Sequence, residues 1–151
     1  MLAFLLANGY PALFLLSFLA ATLFPLGSEW LLVALIAGGF EPLPVVAVAS
    51  AGNVLGACSS YAIGCYGSAF LATRLLRMDE GERARAERFF TRYGSWSLLL
   101  SWLPVIGDPL CLVAGMLRVG VGRFVLLVLT GKVARYALVA WATVEGKALF
   151  I

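Results

Sequence analysis

Histidine is absent from the 151 residues, and charged residues are scarce, since Asp, Glu, Lys and Arg make up only 13% of the chain. Without histidine the chain lacks the commonest metal ligand and general base. The three cysteines, Cys58, Cys65 and Cys111, lie in apolar runs without the CxxC spacing of metal sites, so we expect them to be packing residues. We therefore expect no metal site, no cofactor and no enzymatic activity. No nucleic-acid-binding motif is present either.

Apolar residues take the place of these groups. The chain is 62% hydrophobic, with a mean hydropathy of +0.98, whereas a soluble domain is about half apolar and about a quarter charged. The composition predicts an all-α integral membrane protein with one domain over residues 1–151. The apolar N-terminus has no basic segment and no A-x-A cleavage site, so we expect it to be retained rather than removed as a signal peptide.

The first apolar region is interrupted by Pro25 and Gly27. Each piece is shorter than the about 20 helical residues that span the hydrocarbon. The pattern therefore predicts a re-entrant helical hairpin at about 11–39. A single kinked helix over about 11–37 is the alternative.

A second apolar region is interrupted in the same way. Pro104, Gly107 and Pro109 predict a second hairpin at about 93–118. The remaining elements are two membrane spans and one amphipathic helix capped near Asp79. The spans are predicted at about 45–73 and about 124–146, and the amphipathic helix at about 79–92.

The two interrupted regions indicate an internal repeat. Glu29 lies four residues after Pro25, and Asp108 lies four residues after Pro104. A shift of 79 residues therefore superposes the two prolines and the two acids, and it also places Gly52 on Gly131. Six arginines lie within 74–92, so the positive-inside rule predicts that this segment is cytoplasmic. The hairpins then enter from opposite sides, which is the inverted repeat that many secondary transporters have.

Five polar residues at predicted membrane depth are the candidate site for substrate or ion translocation. Glu29 and Asp108 are carboxylates at the two breaks, and burial at such depth costs about 2.5 kcal/mol or more, so they should be paired or functional. Lys132 and Arg135 lie three residues apart on one face of the last span. Asn53 lies in a Gly-rich span. The alternatives are helix N-caps for the acids, snorkelling cations, and an interhelical hydrogen bond for Asn53.

The chain resembles the DedA superfamily, also called the VTT or SNARE-associated-like domain, and is most similar to its small YqaA-type members. Four segments carry this resemblance and cover most of the chain: "FPLGSEWLL" at 24–32, "GNVLGACSSYAIGCYG" at 52–67, "RYGSWSLLLSWLPVIGDPLCLVAGMLRV" at 92–119 and "GKVARY" at 131–136. The resemblance implies two facing re-entrant hairpins and lipid translocation. It also implies that Glu29 is the family's acid after the first proline. Relatives include undecaprenyl phosphate translocases and eukaryotic phospholipid scramblases, and proton coupling is proposed for some.

The chain departs from the larger members of this superfamily at three positions. Ala57 stands where they carry an aspartate, and Ser101 and Gly107 stand where they carry arginines around the second proline. Lys132 and Arg135 are therefore the candidates for attracting a lipid phosphate.

The resemblance, together with the charged residues at membrane depth, implies translocation of an anionic phospholipid or a carrier-lipid phosphate in the bacterial inner (plasma) membrane. The hairpin tips would thin the barrier while the acids change protonation or pairing. Protons and a second copy of the chain are further candidate partners. The alternatives are a proton- or cation-coupled transporter of a small solute and a membrane scaffold whose charges are structural pairs.

Overall fold

The computed structural model describes residues 7–22, 28–67, 74, 79–103 and 106–149. Every regular element in these ranges is helical, which confirms the all-α prediction. The elements are α1 (Gly9–Ala20), α2 (Ser28–Ala37), α3 (Pro42–Tyr66), α4 (Glu80–Tyr93), a 3₁₀ helix (Gly94–Trp102), α5 (Gly107–Met116) and α6 (Val121–Leu149).

Two helices, α3 with 25 residues and α6 with 29, are long and apolar enough to cross a membrane. At 1.5 Å per residue they measure roughly 38 and 44 Å, which exceeds the hydrocarbon thickness of about 30 Å. Pro42 opens α3, in the first turn, where the missing N–H of proline has no helical partner to lose. α3 ends at Tyr66, and residues 68–73 of the predicted first span lie outside the described residues.

The other apolar helices are short. α1, α2 and α5 have 10 to 12 residues each, too few to cross the hydrocarbon alone. Of the predicted breaks, Pro25, Gly27 and Pro104 lie outside the described residues. Gly107 and Pro109 lie in the first turn of α5, directly after the interval that separates it from the end of the 3₁₀ helix at Trp102. Proline is compatible with this position for the same reason as at the start of α3.

The short elements pack crosswise on the long helices. α1 packs against α3, while α2 packs mainly against α6. In the second half the 3₁₀ helix packs against α6, while α5 packs against α3. Each long helix therefore packs against the first short element of its own half and the second short element of the other half: α3 against α1 and α5, and α6 against the 3₁₀ helix and α2. This arrangement is unchanged when the two halves are exchanged.

Two glycines allow the close contacts between each first short element and its long helix. A Cβ at Gly52 would clash with the main-chain oxygen of Phe14 in α1. A Cβ at Gly131 would lie 2.9 Å from the main-chain oxygen of Leu99 in the 3₁₀ helix. These are the two glycines that the shift of 79 residues superposes, so both repeat positions serve the same kind of contact.

The amphipathic helix α4 agrees in position with the predicted one. Asp79 is its N-cap residue, and the main-chain N–H of Asp79 donates to Oε2 of Glu82 over 3.3 Å. The buried side chains of α4, Ala86 and Phe90, join an apolar cluster formed with α3, α5 and α6. A second apolar cluster lies around α2, between α1, α3 and α6.

Candidate functional site

One stripe of α6 connects the two apolar clusters. Its residues recur every fourth position on one helix face and are all buried: Phe124, Val128, Lys132, Tyr136 and Ala140. Val128 belongs to the first cluster and Tyr136 to the second, so Lys132 lies between them. Lys132 is only 3% exposed, which excludes the snorkelling alternative for this residue.

The buried Lys132 pairs with Asp108. Its Nζ lies 3.4 Å from Oδ1 of Asp108, whose side chain is 26% exposed. Asp108 is in the first turn of α5, and the N-cap residue is Ile106, so Asp108 is not the N-cap that we considered. A negative charge in the first turn is favourable because the main-chain N–H groups there are unpaired.

Arg135 connects α6 to two further elements. Its Nη2 lies 2.5 Å from Oε1 of Glu29 in the first turn of α2. Its Nη1 donates to the main-chain oxygen of Trp102, the last residue of the 3₁₀ helix, over 2.7 Å. The Glu29 and Arg135 side chains are 27% and 19% exposed, so this pair reaches the surface of the helix bundle.

The structure therefore brings the four predicted charges together as two ion pairs. Each pair joins a cation of α6 to an acid in the first turn of a short helix, and the two cations are three residues apart. The charges within the site cancel. Pairing of this kind is what allows charged side chains to lie inside an apolar bundle.

The prediction missed a buried hydrogen-bond network next to these pairs. Nδ2 of Asn53 donates to the hydroxyl oxygen of Tyr136 over 2.8 Å. The Tyr136 hydroxyl is also 2.7 Å from Oγ of Ser28, and since it accepts from Asn53 its own proton is free for Ser28. The interhelical hydrogen bond considered for Asn53 is thus present, and the network joins α2, α3 and α6. Tyr136 lies four residues after Lys132, so helical spacing could have placed it on the same face.

The network lies directly beside the exposed ion pair in the sequence. Ser28 precedes Glu29, and Tyr136 follows Arg135. Hydrogen bonding of Ser28 to Tyr136 therefore holds the start of α2 against α6, where Glu29 meets Arg135. The amide oxygen of Asn53 is buried and has no hydrogen-bond partner among the described residues.

Asn53 and Lys132 occupy the same position in the two halves. They are 79 residues apart and directly follow Gly52 and Gly131, the glycines at the two close contacts. Each long helix therefore has a buried polar group one residue after its close contact with the first short element.

The side chains that could bind a metal ion are not grouped in the described part of the chain. Across the described ranges no group of three or more Cys, Asp or Glu side chains is placed to bind a metal ion. Cys58, Cys65 and Cys111 are free thiols. The planar guanidinium of Arg135 can hold a carboxylate or a phosphate through two N–H groups.

Two tryptophans adjoin the exposed pair, one through the sequence and one through a main-chain contact. Trp30 follows Glu29, and the indole of Trp102 is on the residue whose main-chain oxygen binds Arg135. Both tryptophans are exposed. Tryptophan is enriched where lipid headgroups meet the hydrocarbon, because its ring is apolar with a polar edge.

Comparison with known proteins shows which family the chain is similar to. Residues 24–144 match the VTT domain family. The chain is 41% identical over 136 residues to the inner membrane protein YqaA of Escherichia coli, covering 89% of this chain and 91% of that protein. It is 35% identical over 138 residues to an uncharacterised protein of Haemophilus influenzae, covering 86% and 84%. No solved structure is significantly similar to the chain.

The matched region contains all four charged residues of the site, the whole of α3 and residues 121–144 of α6. Its length also exceeds half of the chain. The chain therefore belongs to the VTT-domain, or DedA, family of membrane proteins and is a protein of the bacterial inner membrane.

Proposed function

We propose that this protein moves an anionic lipid, either a phospholipid or a carrier-lipid phosphate, across the inner membrane as a scramblase or flippase. The observation that carries the proposal is the Arg135–Glu29 pair. It is a short ion pair that stays partly exposed on an otherwise apolar bundle. Trp30, which follows Glu29 in the sequence, and Trp102, whose main-chain oxygen binds Arg135, are both exposed. A lipid headgroup can approach such a pair from the bilayer.

The chemistry of this step is an exchange of anions on one cation. A lipid phosphate takes the place of the Glu29 carboxylate on Nη2 of Arg135, where the carboxylate makes a single contact through Oε1. The exchange leaves the cation paired throughout, which matters because an unpaired charge in an apolar bundle is strongly destabilising. The displaced carboxylate must be hydrated, paired elsewhere or protonated, and for this reason protons are the coupling partner that we propose.

Lys132 and Asp108 form the deeper pair of the same site. Lys132 is almost fully buried between the two apolar clusters. Its ion pair is longer than that of Arg135, 3.4 Å compared with 2.5 Å. We propose that it provides a second position for the phosphate after Arg135.

We also propose the membrane topology that the sequence predicts. The crosswise packing of the four short elements and the matching contacts at Gly52 and Gly131 support an inverted repeat of two re-entrant hairpins. The arginine-rich segment 74–92 is proposed to lie in the cytoplasm. The site between the hairpins would then be close to the midplane of the bilayer.

The test is dithionite bleaching of fluorescent phosphatidylglycerol in proteoliposomes. The wild-type protein should expose inner-leaflet lipid to the reagent, and Glu29→Gln and Arg135→Ala should abolish this exposure. Arg123→Ala is the matched control, because it removes an exposed arginine from the same helix outside the site and should retain activity.

Two outcomes would contradict the proposal. One is that vesicles with wild-type protein are bleached no more than empty vesicles. This result must hold for both phosphatidylglycerol and undecaprenyl phosphate analogues, with and without an imposed pH gradient. The other is equal activity of wild type and the two site variants. Either result would favour a small-solute transporter or a scaffold.

A further inference from the structure

The exposed face of α4 has a regular arrangement of arginine and aromatic side chains. Arg85, Arg88 and Arg92 recur at spacings of three and four, so they share one side of the helix. Phe89 and Tyr93 form the adjacent stripe, one turn apart. This aromatic stripe lies between the arginines and the buried face of the helix.

Four of these residues line one concave surface: Arg88, Phe89, Arg92 and Tyr93. The rings of Phe89 and Tyr93 are stacked, with centroids 6.0 Å apart and an interplanar angle of 29°. The guanidinium carbon of Arg92 lies 5.5 Å from the centroid of the Tyr93 ring. The surface therefore combines two exposed cations with an apolar wall.

The two cations of this surface are available to an external anion. Arg83 on the same helix is paired with Glu87, with Nε 3.1 Å from Oε1. Arg88 and Arg92 form no such ion pair with any acid that the structure describes. Both arginines are solvent exposed.

The position of α4 places this surface at one end of the membrane-spanning helices. Its opposite face packs against α5 and the 3₁₀ helix. The hydroxyl of Tyr61, near the end of α3, donates to the main-chain oxygen of Val119, just before α6 begins. The exposed aromatic rings of Tyr66 and Trp96 lie at the end of α3 and directly after α4. Exposed aromatic residues at the ends of spanning helices are typical of the headgroup level.

We infer that the Arg88–Arg92 face of α4, with Phe89 and Tyr93, is a binding site for the headgroup phosphate of an anionic phospholipid. This phospholipid lies in the leaflet on the same side of the membrane as the arginine-rich segment 74–92. The two guanidinium groups bind the phosphate oxygens, and the aromatic wall contacts the glycerol and the upper acyl chain. Charge complementarity selects an anionic headgroup over a zwitterionic one, whose own cation is repelled by the arginines. This site is distinct from the Arg135–Glu29 pair and does not depend on the proposed translocation.

The test measures binding of single lipids to the full chain by native mass spectrometry in a neutral detergent at physiological ionic strength. Under these conditions charges more than about 8 Å apart are largely screened, so a local site can be separated from general positive charge. Phosphatidylglycerol and phosphatidylcholine are compared in parallel. Soluble glycerol phosphate is a third ligand, which separates a lipid site from a site for a free phosphate ester.

Wild type should bind phosphatidylglycerol more tightly than phosphatidylcholine or glycerol phosphate. The double variant Arg88→Gln/Arg92→Gln should bind phosphatidylglycerol at least about tenfold more weakly, the loss expected for one charge-assisted hydrogen bond. The matched control Arg118→Gln/Arg123→Gln removes the same charge near the same end of the bundle and should bind as wild type does. Arg88→Lys/Arg92→Lys should have intermediate affinity, because it keeps the charge but lacks the planar fork.

Three results would overturn the inference. They are undiminished phosphatidylglycerol binding by Arg88→Gln/Arg92→Gln, equal losses in this variant and in the matched control, and equal affinities of wild type for phosphatidylglycerol and glycerol phosphate. Circular dichroism and size-exclusion chromatography of each variant confirm that only folded protein is compared. Because the readout is binding, failure of lipid translocation in the bleaching assay leaves this test intact.

Discussion

The two partners of the buried ion pair differ in burial, and this difference predicts unequal effects of removing each one. Lys132 is 3% exposed, whereas the side chain of Asp108 is 26% exposed. Asp108→Asn leaves a buried cation without its counter-ion. Lys132→Met leaves a carboxylate that is partly exposed at the surface of the bundle. We therefore expect Asp108→Asn to be the more destabilising substitution.

The magnitudes follow from the burial of the group left behind. Removing one member of a buried pair costs about 3–5 kcal/mol when the remaining charge is buried, and the lower value applies here because the pair distance is long, 3.4 Å. Lys132→Met should cost about 1 kcal/mol, the size of an average substitution. The double variant should resemble Lys132→Met, which gives a coupling energy of about 3 kcal/mol, equal to the cost of Asp108→Asn.

The assay is reversible unfolding of the purified protein in dodecyl maltoside by added SDS, followed by circular dichroism and tryptophan fluorescence. Each single variant and the double variant complete the thermodynamic cycle. Equal destabilisation by the two single variants, or a coupling energy near zero, would refute the assignment of Lys132 as a buried cation held by Asp108.

Three further predictions concern other contacts of the bundle. Tyr136→Phe should lower the free energy of unfolding by about 1–3 kcal/mol in the same SDS titration, since two interhelical hydrogen bonds in a membrane protein contribute about 0.6 to 1.7 kcal/mol each; an unchanged titration midpoint would argue against the network. Gly115→Ala should destabilise by about 1–3 kcal/mol, because its Cβ would overlap the main-chain oxygen of Tyr61, whereas Gly122→Ala has open space and should be neutral or slightly stabilising. The charge-swapped variant Glu29→Arg/Arg135→Glu should regain much of the stability lost in the single variants and still fail to move lipid, because the phosphate-binding cation has left α6; full lipid movement would instead identify a purely structural pair.

Several elements of this protein could be predicted from residue order alone. Long apolar runs predicted α3 and α6, since a bilayer requires about 20 apolar helical residues to satisfy the main chain. Arg/Glu alternation predicted the amphipathic helix α4, whose exposed and buried faces differ in composition. The spacing of three between Lys132 and Arg135 placed both cations on one face of a helix, which is a local property of helical geometry.

The choice of partners could not be predicted in this way. Either acid could have paired with either cation, and the sequence contains nothing that selects Glu29 for Arg135 and Asp108 for Lys132. The selection follows from packing, since α2 lies against α6 and thereby brings Glu29 to Arg135. The hydrogen bonds of Tyr136 could not be predicted for the same reason, because its two partners lie in α2 and α3, far away in the sequence.

Residue order thus determined which segments are helical, which of them can cross the bilayer, and which side chains must be paired if they are buried. These properties depend on hydrophobic length and on helical spacing, which act over one or two turns. Tertiary packing alone decided that the four charges form two pairs of unequal burial, with Arg135 near the surface and Lys132 between two apolar clusters. The physical reason is that burial and ion-pair geometry depend on how α2 and α5 lie against the long helices, and that arrangement is set by contacts between distant segments such as those at Gly52 and Gly131.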